Sequence, residues 1–492
     1  MNPIRQLFGQ TAIYGMGTVV PRLLNYIVLT PFFTRIFKLG EYGVVTELYA
    51  YVVFLMVILT YGMETGYFRF AEKNKDPDEV YTTSLVSLFI TSLSFIIAVY
   101  IFSGDIADIL DYPDNREYIV MIGLIVGIDA FTAIPFARLR QKNKAGKFAI
   151  IKIISVVINI TLNFFLLYFI PKYDLNEKYK IISSIYSADI GVGYVFVSNL
   201  IASLVSLLLL LDEILKVKIR FNKKLWKELI YYSLPLLVAG LAGTINETMD
   251  RIMIKHLITG ELKPIEQLGI YGANYKIAVL MQLFIQMFRF AAEPFYFARA
   301  KEKNAEKLFA DVMKYFVVVC MIIFLMVTLY IDVFKHFIGK DYYAGLPIVP
   351  VILYAIFLLG VFFNISIWYK LNNLTRYGAI ITITGALITL GINWIFIPKY
   401  GYSASAWAHF ICYLSMVIIS YFMGQNFYRI PYDLKAILLY AILPVGIFIF
   451  AKRLNISDLS LKMVINTVLF MFYLIIVFII ERKNLKKVIL KN

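Results

Sequence analysis

Leu39-Gly40-Glu41-Tyr42-Gly43 returns as Leu268-Gly269-Ile270-Tyr271-Gly272, displaced by 229 positions, and Pro171-Lys172-Tyr173 returns as Pro398-Lys399-Tyr400, displaced by 227. Either match alone is weak. Two at nearly one offset, each between long apolar runs, indicate an internal duplication. The nature of the duplicated unit follows from the residues between the motifs.

Of the 492 residues, 60% are hydrophobic and only 16% charged, with a mean hydropathy of +0.75. Soluble domains carry roughly 45–50% apolar and about 25% charged residues, so this much apolar surface needs lipid. Runs long enough to cross a hydrocarbon core of roughly 30 Å fall near 8–34, 43–70, 81–103, 117–139, 146–170, 190–211, 229–258, 267–290, 311–331, 344–370, 376–397, 402–424, 434–451 and 461–480. They lack period-2 alternation and are too long for barrel strands, so helices are the element that satisfies the backbone in lipid. The first run is too long for a signal-peptide core and lacks a small-residue cleavage site, which makes it a retained span. The expectation is an all-α integral membrane protein with about fourteen transmembrane helices.

An even number of spans puts both termini on one side, and the basic residues choose the side. With the N-terminus inside and residues at span ends counted with the loops they adjoin, 29 Lys and Arg fall on the inner side and 14 on the outer, so both ends are expected in the cytoplasm. The formal charge of +16 is thereby assigned to cytoplasmic loops rather than to a nucleic-acid face. The inner loop with Lys216, Lys218, Arg220, Lys223, Lys224 and Lys227 is suited to anionic headgroups, whereas the outer loop with Asp105, Asp108, Asp111 and Asp114 is acidic.

The offset equates helix 1 with helix 7 and helix 6 with helix 12. Six is even, so the repeats share one membrane orientation and are related by an axis along the membrane normal. This divides the chain into an N-terminal six-helix lobe (1–211), a basic cytoplasmic linker (212–228), a C-terminal six-helix lobe (229–424), and helices 13 and 14 with a basic tail (425–492). Two parallel lobes around a central cleft are the plan of alternating-access transporters.

An ionised group near the bilayer centre costs roughly 2.5–3.5 kcal/mol on insertion scales, so deep charges should face a cavity or a partner. Arg22, Asp129, Glu247 and Lys276 lie deepest in their spans; Lys152, Glu47, Glu64, Arg289 and Glu293 lie nearer the ends. On helix 1, Thr11, Tyr14, Thr18, Arg22 and Asn25 share one face. Thr244, Glu247, Thr248 and Arg251 do so on helix 7, followed in helix 8 by Tyr275, Gln282, Gln286, Arg289 and Glu293. Glu247 with Arg251, and Arg289 with Glu293, have the i,i+4 spacing of internal pairs that would only fix packing. Arg22 has no acid within helical reach, so its partner is another helix or a ligand. Arginine in a cleft favours phosphate oxygens. Cys320 and Cys412 have no partner spacing, and His256, His336 and His409 are scattered, so neither metal nor cofactor is expected.

The stretches Arg22-Leu23-Leu24, Phe33-Thr34-Arg35-Ile36-Phe37, Gly40-Glu41-Tyr42-Gly43 and Tyr61-Gly62-Met63 with Arg69 resemble the opening helices of Wzx-type oligosaccharide flippases. These form the polysaccharide-biosynthesis branch of the MOP (MATE-like) transporter superfamily. Asp250-Arg251, Gly269-Ile270-Tyr271-Gly272-Ala273 with Tyr275-Lys276, and Ile397-Pro398-Lys399-Tyr400-Gly401 are similar to the helix 7–8 and 11–12 patterns of the same group. The resemblance implies a flippase that moves an undecaprenyl-pyrophosphate-linked oligosaccharide across the bacterial inner membrane for surface polysaccharide such as O-antigen, by alternating access. It implies Arg22, Arg251 and Lys276 as substrate cations. Arg289, Asn25, Gln282 and Gln286 are the further substrate-binding candidates; Asp129, Glu247, Asp250 and Glu293 are candidates for ion coupling or charge pairing. Expected partners are the lipid-linked oligosaccharide, membrane lipids, and polysaccharide polymerase or export machinery. The competing reading, a MATE-like cation-coupled drug or metabolite exporter, meets the lack of any acid in helix 1 between Gln10 and Thr34. A membrane enzyme is disfavoured because the longest outer loop, about residues 171–189, holds no catalytic cluster.

Overall fold

The structure is a computed structural model describing residues 3–489 except 185, 219, 260–262 and 373; its side chains are described for 19–482 with the same exceptions and residue 181. Thr11, Tyr14 and Thr18 thus lie outside the described side chains. No strand occurs among the described residues. Helix α1 is Pro3–Ile36. It is followed by α2 (Leu39–Lys73), α3 (Pro77–Ile101), α4 (Pro113–Gln141), α5 (Ala145–Tyr173), α6 (Gly193–Leu215) and α7 (Lys223–Leu257). Helix α8 is the bent pair Pro264–Ile277 and Val279–Arg299, turning by 50° at Ala278. The remainder are α9 (Ala305–Leu329), α10 (Lys340–Leu371), α11 (Thr375–Tyr400), α12 (Tyr402–Phe427), α13 (Leu434–Arg453) and α14 (Leu459–Arg482). Each of the fourteen apolar runs falls on one of these. Among the described residues twelve helices are long and apolar enough to span a membrane, thirteen with the bent pair, and α1 lies largely outside that count.

Polar residues fix where helices start. Asp76 accepts the backbone N–H groups of Asp78 and Glu79 with Pro77 in the first turn of α3, and Asn222 accepts those of Lys224 and Leu225 at the start of α7. In α2 the helix breaks at Tyr61-Gly62, both left-handed (φ 33° and 71°). A Cβ on Gly62 would stand 2.9 Å from the Leu236 Cβ. Only glycine allows both the turn and the approach of α7.

The chain forms two compact units, 1–269 and 270–492. In the first, Met63, Tyr67, Val80, Tyr81, Leu229 and Ile134 form one buried cluster, and Leu48, Ile125, Val126, Ala130 and Phe196 another. One end of this unit is closed by ion pairs. The Arg138 guanidinium lies 2.9 Å from Asp78, donates to the Glu213 carbonyl at 2.8 Å, and covers the Tyr81 ring at 4.2 Å. Lys144 meets Glu213 at 2.7 Å and Lys147 meets Asp212 at 2.6 Å.

In the second unit the buried Trp368 indole donates to Ser420 at 3.2 Å, fastening α10 to α12. Helices α13 and α14 are bolted to α9 by polar contacts. Lys314 and Glu481, with side chains 7% and 4% exposed, pair at 3.0 Å, and Tyr440 donates to Glu481 at 2.9 Å. At the other end of α14, Asn466 donates to the Leu329 carbonyl at 2.6 Å, and Lys462 and Lys335 hold Asp332 at 2.6 and 2.7 Å.

Candidate functional site

In the first unit, α4 and α5 bring Asp129, midway along α4, near Lys152, two turns into α5. Asp129 hydrogen-bonds Ser203 of α6 and lies within electrostatic reach of Lys152. The Lys152 ammonium sits 3.8 Å from the Phe136 ring centroid and senses Arg22, Arg140 and Glu64 as well. Glu64 and Arg140 are ion-paired, with the guanidinium 5.1 Å from the Phe68 ring centroid. Among the described residues, three cations thus lie within electrostatic reach of two carboxylates. An excess cation in a low-dielectric setting is stabilised by an arriving anion far more than it would be in water.

Arg22 is exposed on α1 and makes no ion pair among the described residues. One turn further along, Asn25 is half-buried, and its Oδ1 is buried without a hydrogen bond among the described residues. An unsatisfied buried carbonyl costs roughly 1–3 kcal/mol, which a hydroxyl or ammonium donor would recover.

On α7, Asp250 is fully buried, and Arg251 reaches it at 3.1 Å while donating to the Glu247 carbonyl at 2.6 Å. Arg251 also senses Tyr42 of α2. Glu247 is exposed.

In the second unit, Lys276 is half-buried two residues before the bend in α8, and Gln282 and Gln286 are half-buried beyond it. Arg289 lies 3.8 Å from Glu293 and 4.8 Å from the Phe363 ring centroid. Glu293 is claimed more closely by Lys370, at 2.5 Å. These groups line a slot with Tyr296 and Asn364, themselves joined at 2.5 Å. Its volume of about 10 Å³ is room for about one water. The Arg289–Glu293 pairing expected from spacing is present, and it serves as a packed junction in this conformation.

The structure adds Arg140, at the end of α4, and three further cations that depth along the sequence does not single out as candidates. Lys152 was ranked below Arg22 by depth; Lys370 and Lys255 were counted with the loops. Lys255, one turn after Arg251, has a side chain 9% exposed and lies 3.1 Å from the fully buried Glu47. Its i+4 relation to Arg251 was the available signal.

A second feature of the first unit is a cavity of about 630 Å³ at the end carrying Gly40, Tyr112, Asp189 and Ile265. No group of three or more His, Cys, Asp or Glu suited to a metal occurs among the described residues.

The fold is shared with transporters. At a TM-score of 0.75, 16% identity, 96% of this chain and 100% of the other, it is similar to a lipid II flippase, MurJ, in an inward closed conformation. It is also similar to a MATE family multidrug resistance transporter of the MOP superfamily in its outward-facing conformation, with a TM-score of 0.58, 15% identity, and 85% and 93% coverage of the two chains. A MATE protein in complex with MaD3S gives 0.59, 13% identity, and 85% and 94% coverage. No curated protein matches by sequence. The family model described as "Polysaccharide biosynthesis protein" matches residues 8–297, more than half of the chain. With an all-helical fold shared with these proteins and cations within the apolar helices of each compact unit, the chain belongs to the polysaccharide biosynthesis protein family.

Proposed function

We propose that the protein is a flippase that moves an undecaprenyl-pyrophosphate-linked oligosaccharide from the cytoplasmic to the outer leaflet of the inner membrane by alternating access, with 1–211 and 229–424 as its duplicated lobes and both termini in the cytoplasm. The observation that carries the reading is a surplus of cations among the described residues, Arg22 and Lys152 within the spans and Arg140 at the end of α4, against Asp129 and Glu64, in a chain of this family. A pyrophosphate needs charged donors that water does not screen, and a polyprenyl tail needs only the bilayer. In this reading Arg22, Arg251, Lys276 and Arg289 receive the pyrophosphate. Asn25, Gln282 and Gln286 serve the sugars. Asp129, Glu247, Asp250 and Glu293 hold the cations in place when no cargo is bound. Polysaccharide polymerase or export machinery would take the product.

The test is accumulation. Deleting the gene should strand lipid-linked oligosaccharide in the cytoplasmic leaflet, and purified protein in vesicles should move that lipid between leaflets. Cation-driven extrusion of a dye by the same vesicles, with no lipid movement, would favour the MATE-like alternative.

A further inference from the structure

The cavity of about 630 Å³ in the first unit falls within the roughly 300–1,000 Å³ typical of ligand sites, and of the cations above only Lys255 lines it. Its polar lining comes from Glu41, Asp111, Asn115, Tyr112, Asp189 and Lys255. Lys255 brings little positive charge to the open face. It is held by Glu47 at 3.1 Å, by Asp111 at 3.7 Å and by the Leu110 carbonyl, and it lies 4.3 Å from the Tyr112 ring centroid. Tyr112 in turn donates to Glu47 at 2.5 Å. The open face therefore presents three carboxylates and an amide against a cation already engaged. Phosphate is excluded by charge. A resident divalent ion would need three or more converging ligands, which the described residues do not supply. Acceptor-rich walls beside a tyrosine face suit a ligand that donates many hydrogen bonds and carries no negative charge. The wall is firmly built: the Tyr118 hydroxyl donates to the Ile190 carbonyl at 2.9 Å, and Ser187 orients Asp189 at 3.1 Å.

We propose that this cavity is a subsite for the hydroxyl-rich saccharide portion of the cargo, at the end of the unit that the loop charges assign to the outside, and distinct from the cations that take the pyrophosphate. The proposal rests on the flippase reading and adds to it a division of labour. Sugar is held where anion is repelled, so the head group is drawn outward while its phosphates are not retained there.

The full chain in lipid nanodiscs, probed with an array of soluble neutral and amino-bearing oligosaccharides lacking lipid and phosphate, tests it. At least one glycan should bind wild-type protein, and Asp111→Asn with Asp189→Asn should weaken that binding tenfold or more without altering thermal unfolding. Asn tolerates the left-handed backbone of Asp111 (φ 59°), so the variant should fold. Inorganic pyrophosphate should not compete. Absence of glycan binding, binding unchanged by the double variant, or calcium bound at these two aspartates in place of glycan would overturn the proposal. Lipid movement measured on the same nanodisc preparations after transfer to vesicles separates the two readings: flipping without glycan binding sinks the subsite alone, and glycan binding without flipping sinks the flippase.

Discussion

The Cβ that Gly269 lacks would stand 2.0 Å from the carbonyl oxygen of Leu39, and the one that Gly43 lacks would stand 2.0 Å from the carbonyl oxygen of Ile265. Gly43 and Gly269 belong to the two copies of the repeated motif. The copies meet, and their glycines permit backbone to touch backbone. No side chain could yield there, because the obstruction is main chain on both sides.

Gly269→Ala and Gly43→Ala should each therefore lower the thermal unfolding temperature of the purified protein by several degrees, corresponding to the roughly 1–3 kcal/mol of an overpacked contact. Gly391, whose added Cβ would meet no heavy atom within 4 Å, is the control: Gly391→Ala should be neutral or slightly stabilising, since alanine is the better helix former. Equal effects at the three sites would show that the close approach is not what the motif provides.

Arg22→Ala should abolish lipid movement while leaving unfolding unchanged. The side chain is exposed and makes no ion pair among the described residues, so its removal leaves no buried charge uncompensated. Full transport by this variant would remove Arg22 from the path of the cargo. Lys152→Ala, by contrast, should impair both transport and stability, because it takes from Asp129 the cation within its reach.

Removing one member of the Lys314–Glu481 pair should cost about 3–5 kcal/mol, the range for breaking a buried pair. Lys314→Met combined with Glu481→Met should recover part of that loss, since an apolar pair leaves no orphan charge. A double variant as unstable as the worse single one would show that Tyr440, rather than Lys314, is the important partner of Glu481.

Acid should loosen the far end of α14. Burial raises the pKa of Asp332, but Lys335 and Lys462 outweigh it and hold the group below its ordinary 3.8. A depressed folded value means the stabilisation is fully present above pH 3.8 and is lost as pH falls through the folded value. Hydrogen exchange around Asn466 should accelerate below that pH in wild-type protein, and Asp332→Asn should show the fast rate already at neutral pH. An exchange rate independent of both would separate Asp332 from the anchoring of α14.

The helices were legible because lipid imposes one rule on every span: an apolar run of sufficient length must satisfy its own backbone. The repeated motif was legible because a backbone contact tolerates only glycine, which suits Gly43 in one copy and Gly269 in the other, each matched by a glycine 229 positions away. The charge network was less so. Depth along a helix gives the cost of a charge but not the direction of its side chain, and the decisive partners come from distant helices. Glu47 lies 208 positions before Lys255, and Glu481 lies 167 after Lys314. Lys255 and Lys370 stood at span ends and were absorbed into the loop tally. Their ion pairs with Glu47 and Glu293 emerge only once the helices are arranged in space.

The order of synthesis gives the Lys314–Glu481 contact a further significance. Lys314 leaves the ribosome long before Glu481, which sits at the end of α14. Until α14 arrives, the Lys314 ammonium must rely on Asp311 of its own helix, 3.9 Å away, and a nascent chain stopped short of residue 481 would lack its closer partner permanently.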